Sequence, residues 1–155
     1  LGKGRVVLEQ LVGSVRGAEA SAGVPHLHQP RVALVALGCR LSEAVKAGEE
    51  LAARGMGVTV FDARFAKPLD KEALSRMASC HDLLVTVESG SSGGFGAAVV
   101  SYLLEAGHLD DGRLKVRQLH MPDSFAEQGD VTRMYEEAKL NCSGIVGAVL
   151  RALRR

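Results

Sequence analysis

The chain has 155 residues, 46% hydrophobic and 24% charged, with 19 Lys and Arg against 18 Asp and Glu. That length fits one domain with a real core, and the composition is that of a folded globular chain, not a disordered one. Balanced charge argues against nucleic acid as a partner, which needs a concentrated basic face, and apolar runs such as Val32–Leu37 are far too short to cross a bilayer.

In chain order, Arg5–Leu8 reads as a short strand. It runs into a loop instead of a helix, which places it antiparallel at a sheet edge. Residues 13–30 are rich in Gly, Ala and Ser and closed by two prolines, the pattern of a flexible insertion. Residues 1–30 are therefore a leading strand plus insertion, and residues 31–155 form an α/β domain. The continuous apolar run Val32–Leu37 has the signature of a strand buried on both faces. Leu41, Ala44, Val45, Gly48, Leu51 and Ala52 then recur on one helical stripe, and Gly55 and Gly57 stop that helix. A second buried strand follows at Val58–Phe61. Asp70 is placed to cap a helix burying Ala73, Leu74 and Met77.

Leu83–Val87 is a third buried strand, ending at Glu88 and followed by the glycine-rich segment Gly90–Gly96. The next helix carries Phe95, Ala98, Val99, Tyr102 and Leu103 on its stripe. Lys115–Leu119 is a shorter strand near an edge. Two closing helices carry Val131, Met134, Tyr135 and Ala138, then Ile145, Val146, Val149 and Leu150. Strands alternating with helices give a three-layer α/β/α sandwich on a mostly parallel five-stranded sheet with one antiparallel edge strand.

In open α/β sheets, ligands and partners gather beyond the carboxyl ends of the strands. Those ends are Gly38-Cys39-Arg40, the stretch from Asp62 to Pro68, and Glu88 with its glycine loop. The loop is neither a Walker A motif, having no Gly-Lys-Ser/Thr, nor G-x-G-x-x-G, because Val99 stands where the third glycine would fall. Close packing of a helix N-terminus explains its glycines more simply than phosphate binding. Arg64 and Glu88 are expected to form an ion pair between neighbouring strand ends, with Arg64 and Lys67 otherwise pairing with Asp62 and Asp70. Cys39 precedes a helix whose dipole would favour its thiolate, but no histidine is placed as its base. Ser91 and Ser92 lack the G-x-S-x-G elbow. His26 and His28 have no third ligand, the three cysteines fit neither a disulfide framework nor a zinc pattern, and His81 and His120 read as surface or strand-end residues. No catalytic, cofactor-binding or metal residue is assigned. The chain reads as an assembly domain more than an enzyme by itself.

The segment Asp62-Ala63-Arg64-Phe65-Ala66-Lys67-Pro68-Leu69-Asp70, followed by Leu84-Val85-Thr86-Val87-Glu88-Ser89-Gly90-Ser91-Ser92-Gly93-Gly94-Phe95-Gly96, resembles the carboxy-terminal domain of 1-deoxy-D-xylulose-5-phosphate synthases, within the transketolase-like thiamine-diphosphate-dependent enzymes. Gly2-Lys3-Gly4-Arg5, Leu51-Ala52-Ala53-Arg54-Gly55, Met121-Pro122-Asp123-Ser124-Phe125, Gln128-Gly129 and Met134-Tyr135-Glu136-Glu137-Ala138 add to the likeness, which spans about residues 31–150. The beta subunits of 2-oxoacid dehydrogenase E1 components share a similar turn and Gly-Gly-Phe-Gly loop and remain the alternative, as does a stand-alone protein-binding module of this fold. A sensor of small anions using Gly90–Gly96 is a third.

The resemblance implies an enzyme joining pyruvate to glyceraldehyde 3-phosphate, with loss of carbon dioxide, for isoprenoid and thiamine biosynthesis. It places thiamine diphosphate and magnesium in preceding domains, since the Gly-Asp-Gly motif that holds them is absent and Gly129-Asp130 is followed by Val131. It also implies that this piece is inactive alone, that its partners are the preceding domains and a second copy in a homodimer, and that Arg64, Phe65, Lys67, Pro68, Glu88, Gly93, Gly94 and Phe95 form the interface. Bacterial cytoplasm and plastid stroma both suit reduced cysteines. Leu1 in place of Met raises the expectation that the chain is a piece of something longer. Two departures stand out: residues 13–30 exceed the family's short turn, and Ser89 removes an acidic residue beside Glu88.

Overall fold

The computed structural model describes residues 2–10, 29–123 and 130–154. Most of the insertion at 13–30 and the stretch from Ser124 to Gly129 lie outside these residues. The described chain forms strands β1 (Arg5–Gln10), β2 (Arg31–Ala36), β3 (Gly57–Asp62), β4 (Leu83–Ser91) and β5 (Lys115–Met121). Helices are α1 (Leu41–Ala53), α2 (Lys71–Cys80), α3 (Phe95–Glu105), α4 (Val131–Glu137) and α5 (Cys142–Leu153).

The strand order is β1-β3-β2-β4-β5. β2 pairs parallel with both β3 and β4, β5 pairs parallel with β4, and β1 pairs antiparallel with β3. The mixed sheet with its single antiparallel edge strand is the expected one. Two details differ. β5 spans seven residues, longer than β2 and β3 at six each, because its pairing with β4 resumes at the start of the glycine loop, where Ser91 meets Met121. β4 likewise runs on through Ser91 and does not stop at Glu88.

Alternation along the central strands sorts the core into two halves. Val32, Leu34, Val58, Val60, Leu83, Val85 and Val87 face α1 and α5, while Ala33, Val35, Phe61 and Leu84 face α2 and α3. Every residue of β3 is buried, which is why its sequence shows no polar alternation. α1 buries Ala44, Ala47, Gly48 and Leu51. A Cβ on Gly48 would stand 2.7 Å from Val60 Cγ2 and 2.9 Å from Leu8 Cδ2. The helix therefore tolerates a residue that costs it roughly 1 kcal/mol in propensity, because only glycine lets it lie this close to β1 and β3. In α3 the buried stripe is Phe95, Gly96, Val99 and Leu103, the expected register.

Candidate functional site at the strand ends

β2, β3 and β4 release the chain at the same edge of the sheet. The first helix after β2 covers one face and the helix after β4 covers the other, so their carboxyl ends flank the topological switch point where such folds place ligands and partners.

The turn after β3 is fixed by two aspartates. Asp62, 9% exposed, receives Arg5 Nε on Oδ2 (3.2 Å) and the Arg64 backbone N–H on Oδ1 (3.2 Å). Asp70 caps α2 by accepting from Ala73 N (3.1 Å), and its other oxygen accepts from Gly4 N (3.0 Å). Lys3 Nζ stands 3.5 Å from Asp70 and also bonds Glu72. Burial pushes the Asp70 carboxyl up, but the Ala73 and Gly4 N–H groups and the Lys3 charge outweigh it and hold the group below the usual carboxylate range. The Gly2–Arg5 segment thus ties the leading strand to both ends of the turn. Inside the turn, Arg64 is held at φ +60, in the left-handed region, and the Lys67–Pro68 bond is cis.

Glu88 is 5% exposed and does not pair with Arg64. Its carboxylate accepts the backbone N–H groups of Phe95 (3.0 Å) and Gly96 (2.8 Å), the open donors at the start of α3. This corrects the expected Arg64–Glu88 ion pair. β2 lies between β3 and β4, which keeps Arg64 from Glu88, while the helix start only seven residues on offers N–H donors and a dipole that favours the carboxylate there. A Cβ on Gly94 would lie 2.5 Å from Glu88 Oε2. Gly90 and Gly94 therefore leave the room in which the chain wraps its own carboxylate. The anion-sensor alternative fails for the same reason, because the amides that would greet a phosphate already hold Glu88.

Around the end of β2, Cys39 is exposed and its Sγ lies 3.8 Å from the Tyr135 hydroxyl. The Arg40 guanidinium stacks 3.6 Å from the centre of the Tyr135 ring. A hydrogen bond from Ser89 holds the Cys39 thiol below its ordinary range, helped by Arg40 and Tyr135 against the opposing effect of partial burial. No imidazole belongs to this set. A groove of about 510 Å³ beside it is lined by Arg40, Glu43, Glu50, Tyr135 and Cys142. Two of its carboxylates are engaged, Glu43 by Lys46 (2.8 Å) and the Cys142 N–H (2.8 Å), and Glu50 by Arg54 (2.6 Å). Among the described residues no three of His, Cys, Asp and Glu are placed to hold a metal ion. With the α3 N-terminus closed by Glu88 as well, these residues do not fit a magnesium diphosphate group.

His81 is a second correction: it is 5% exposed, not a surface residue. Nδ1–H donates to Met77 O and Nε2 accepts from Thr59 Oγ1, both at 2.9 Å, a pattern that suits the neutral ring. Burial pushes its pKa below the ordinary value of 6.5. The folded state therefore binds this proton less readily than the unfolded chain, and the stabilisation is complete above about pH 6.5 and is lost as pH falls through the depressed folded value. Urea midpoints measured from pH 7.5 to 5 should fall on the acid side, and His81→Gln should flatten that segment of the profile.

Of the eight expected interface residues, Arg64, Lys67, Pro68, Gly93 and Gly94 are exposed, Phe65 is half-buried, and Glu88 and Phe95 are buried behind them. Sequence reading did not find the clamps of Lys3 and Arg5 or the approach of Tyr135 and Ser89 to Cys39. The signal for the clamps was present: an antiparallel strand beside Val58–Phe61 brings its first residues to Asp62 and Asp70.

The three-layer sheet with this strand-end face defines a transketolase C-terminal-type domain. The family described as transketolase, C-terminal domain, matches residues 23–145, and the chain belongs to it. A solved structure described as a split gene transketolase, inactive beta4 tetramer, superposes with a TM-score of 0.73 at 29% identity. The match covers 98% of this chain and 41% of that one, so this chain spans less than half the length of its structural relative. No helix among the described residues is long and apolar enough to cross a membrane.

Proposed function

We propose that the chain is the carboxy-terminal assembly domain of a thiamine-diphosphate-dependent 1-deoxy-D-xylulose-5-phosphate synthase, a transferase joining pyruvate to glyceraldehyde 3-phosphate with release of carbon dioxide. The observation that carries this reading is the strand-end face. The Ala63–Asp70 turn in its synthase-like form, clamped by Lys3 and Arg5, and the Gly90–Gly96 loop wrapped on Glu88 form a rigid surface with no nucleophile–base pair. Thiamine diphosphate and magnesium would be held by preceding domains and supply the carbanion chemistry there. This chain contributes packing against those domains and across a homodimer in a reducing compartment. The exposed residues Arg64, Lys67, Pro68, Gly93 and Gly94, with half-buried Phe65, make the contact; Glu88 and Phe95 shape it from behind.

A second reading has its own support. The structural relative is a split-gene transketolase, which favours a related thiamine enzyme whose pieces are separate subunits. The test is to isolate the native polypeptide containing this sequence with whatever associates with it. The isolate is then assayed for carbon dioxide release from pyruvate dependent on glyceraldehyde 3-phosphate, and for two-carbon transfer between sugar phosphates. The first activity, on a chain several times longer than this one, is the expected result. Ketol transfer alone, or a native chain of this size without the first activity, overturns the synthase reading.

A further inference from the structure

The eight interface residues do not contribute equally, and the structure singles out two of them. Each nearby carboxylate at the strand ends is already engaged. Asp62 uses both oxygens, on Arg5 and on the Arg64 amide. Asp70 uses both, on Ala73 and Gly4, with Lys3 beside it. Glu88 uses both on the start of α3. Glu72 bonds Lys3. The acids expected to neutralise Arg64 and Lys67 therefore have other partners, and among the described residues neither cation has an ion pair. The nearest aromatic contact of the Arg64 guanidinium is the Phe65 ring, centred 6.0 Å away.

The backbone shows that this outward placement is built. Arg64 stands at φ +60, a conformation that costs a residue with a Cβ about 1 kcal/mol or more, and the Asp62 side chain holds its amide there. Behind the turn, Phe65, Leu69 and Phe95 close on the core around a recess of only about 10 Å³, room for about one water. The turn thus presents a guanidinium and, three residues on, an ammonium to the outside.

We propose that Arg64 and Lys67 are the docking cations of this face, and that they receive carboxylates from an acidic protein surface on the neighbouring domain or subunit. The inference rests on the assembly reading above and deepens it by naming the chemistry of the partner. A protein surface is favoured over a free phosphate for two reasons. The amides that cradle phosphate at a helix start are occupied by Glu88. Among the described residues, the recess behind the turn is also too small to enclose a phosphate.

The experiment uses the native full-length assembly. A carbodiimide that couples amines to contacting carboxylates is applied, and the Lys67 peptide is read by mass spectrometry. Coupling to an Asp or Glu outside this sequence, or in a second copy, is the expected result. In parallel, Arg64→Gly suits the left-handed backbone, so it should melt at or above the parent temperature while weakening assembly at least tenfold; adding Lys67→Glu should weaken it further. Both losses should be largest at low salt, where exposed charges are least screened.

An intact assembly in which Lys67 couples only within its own copy of residues 1–155 and Arg64→Gly assembles as the parent does overturns the docking role and leaves the domain reading standing. Saturable binding of inorganic phosphate that Arg64→Gly abolishes overturns it in favour of a small anion. A native polypeptide with no further domain and no self-association overturns both readings together.

Discussion

Val99→Asp should strip the chain of about 3–5 kcal/mol of stability at neutral pH. Val99 is fully buried in α3, in the half of the core that holds Val35, Phe61, Leu74 and Leu84. A carboxylate there loses its water and meets no cation among the apolar groups of this half of the core. Breaking the core in this way costs about 3–5 kcal/mol, against a total stability of about 5–15 kcal/mol for a domain. Far-UV circular dichroism and urea titration report it directly. The control lies on the same helix: Leu104 is 57% exposed, so Leu104→Asp should change stability by roughly 0.5 kcal/mol or less. The pair tests helix register as well as burial, because equal melting of the two variants would require α3 to be rotated from the arrangement described here.

The contrast between those two positions marks what was readable in advance. Val99 and Leu103 declare themselves by spacing, since a helix with one wet face repeats its apolar residues at three and four. β2, β3 and β4 declare themselves as unbroken apolar runs, because strands covered on both faces have no reason to alternate. The strand-end site obeyed a different logic. Glu88 and Arg64 are opposite charges expected at neighbouring strand ends, but β2 lies between β3 and β4, so the strands that carry them are not adjacent. Sequence does not show which donors arrive first, and here the N–H groups of Phe95 and Gly96 do so through local chain geometry. Arg5 and Lys3 take Asp62 and Asp70 only because β1 comes back antiparallel, which makes residues 57 to 69 positions away into neighbours. His81 was misplaced for a related reason. Its side chain satisfies Met77 and Thr59, and a histidine that finds both an acceptor and a donor can sit in a core without any apolar signature.

Glu88 is where the second large effect should appear. Glu88→Ala strips the two N–H groups at the start of α3 of their acceptor in a buried site and opens space under the loop, a loss of about 3 kcal/mol. Glu88→Gln keeps the shape and one acceptor but points an amide N–H₂ at a backbone N–H, so it should cost about 2 kcal/mol. The order of the two separates hydrogen bonding from packing: if Gln were harmless, shape alone would be holding the loop. Gly94→Ala attacks the same contact from the other side, since its methyl would fall 2.5 Å from the carboxylate oxygen. It should destabilise by about 2 kcal/mol when Glu88 is present. With Glu88→Ala already in place the clash partner is gone, so the double variant should be less unstable than the sum of the singles by about 1 kcal/mol or more. Strict additivity would mean that Gly94 is needed for its own backbone and not for the carboxylate. Because the loop lies on the proposed docking face, Glu88→Ala should also weaken assembly of the native polypeptide. Arg64→Gly should weaken assembly without loss of stability, and that difference separates a residue that builds the surface from one that uses it.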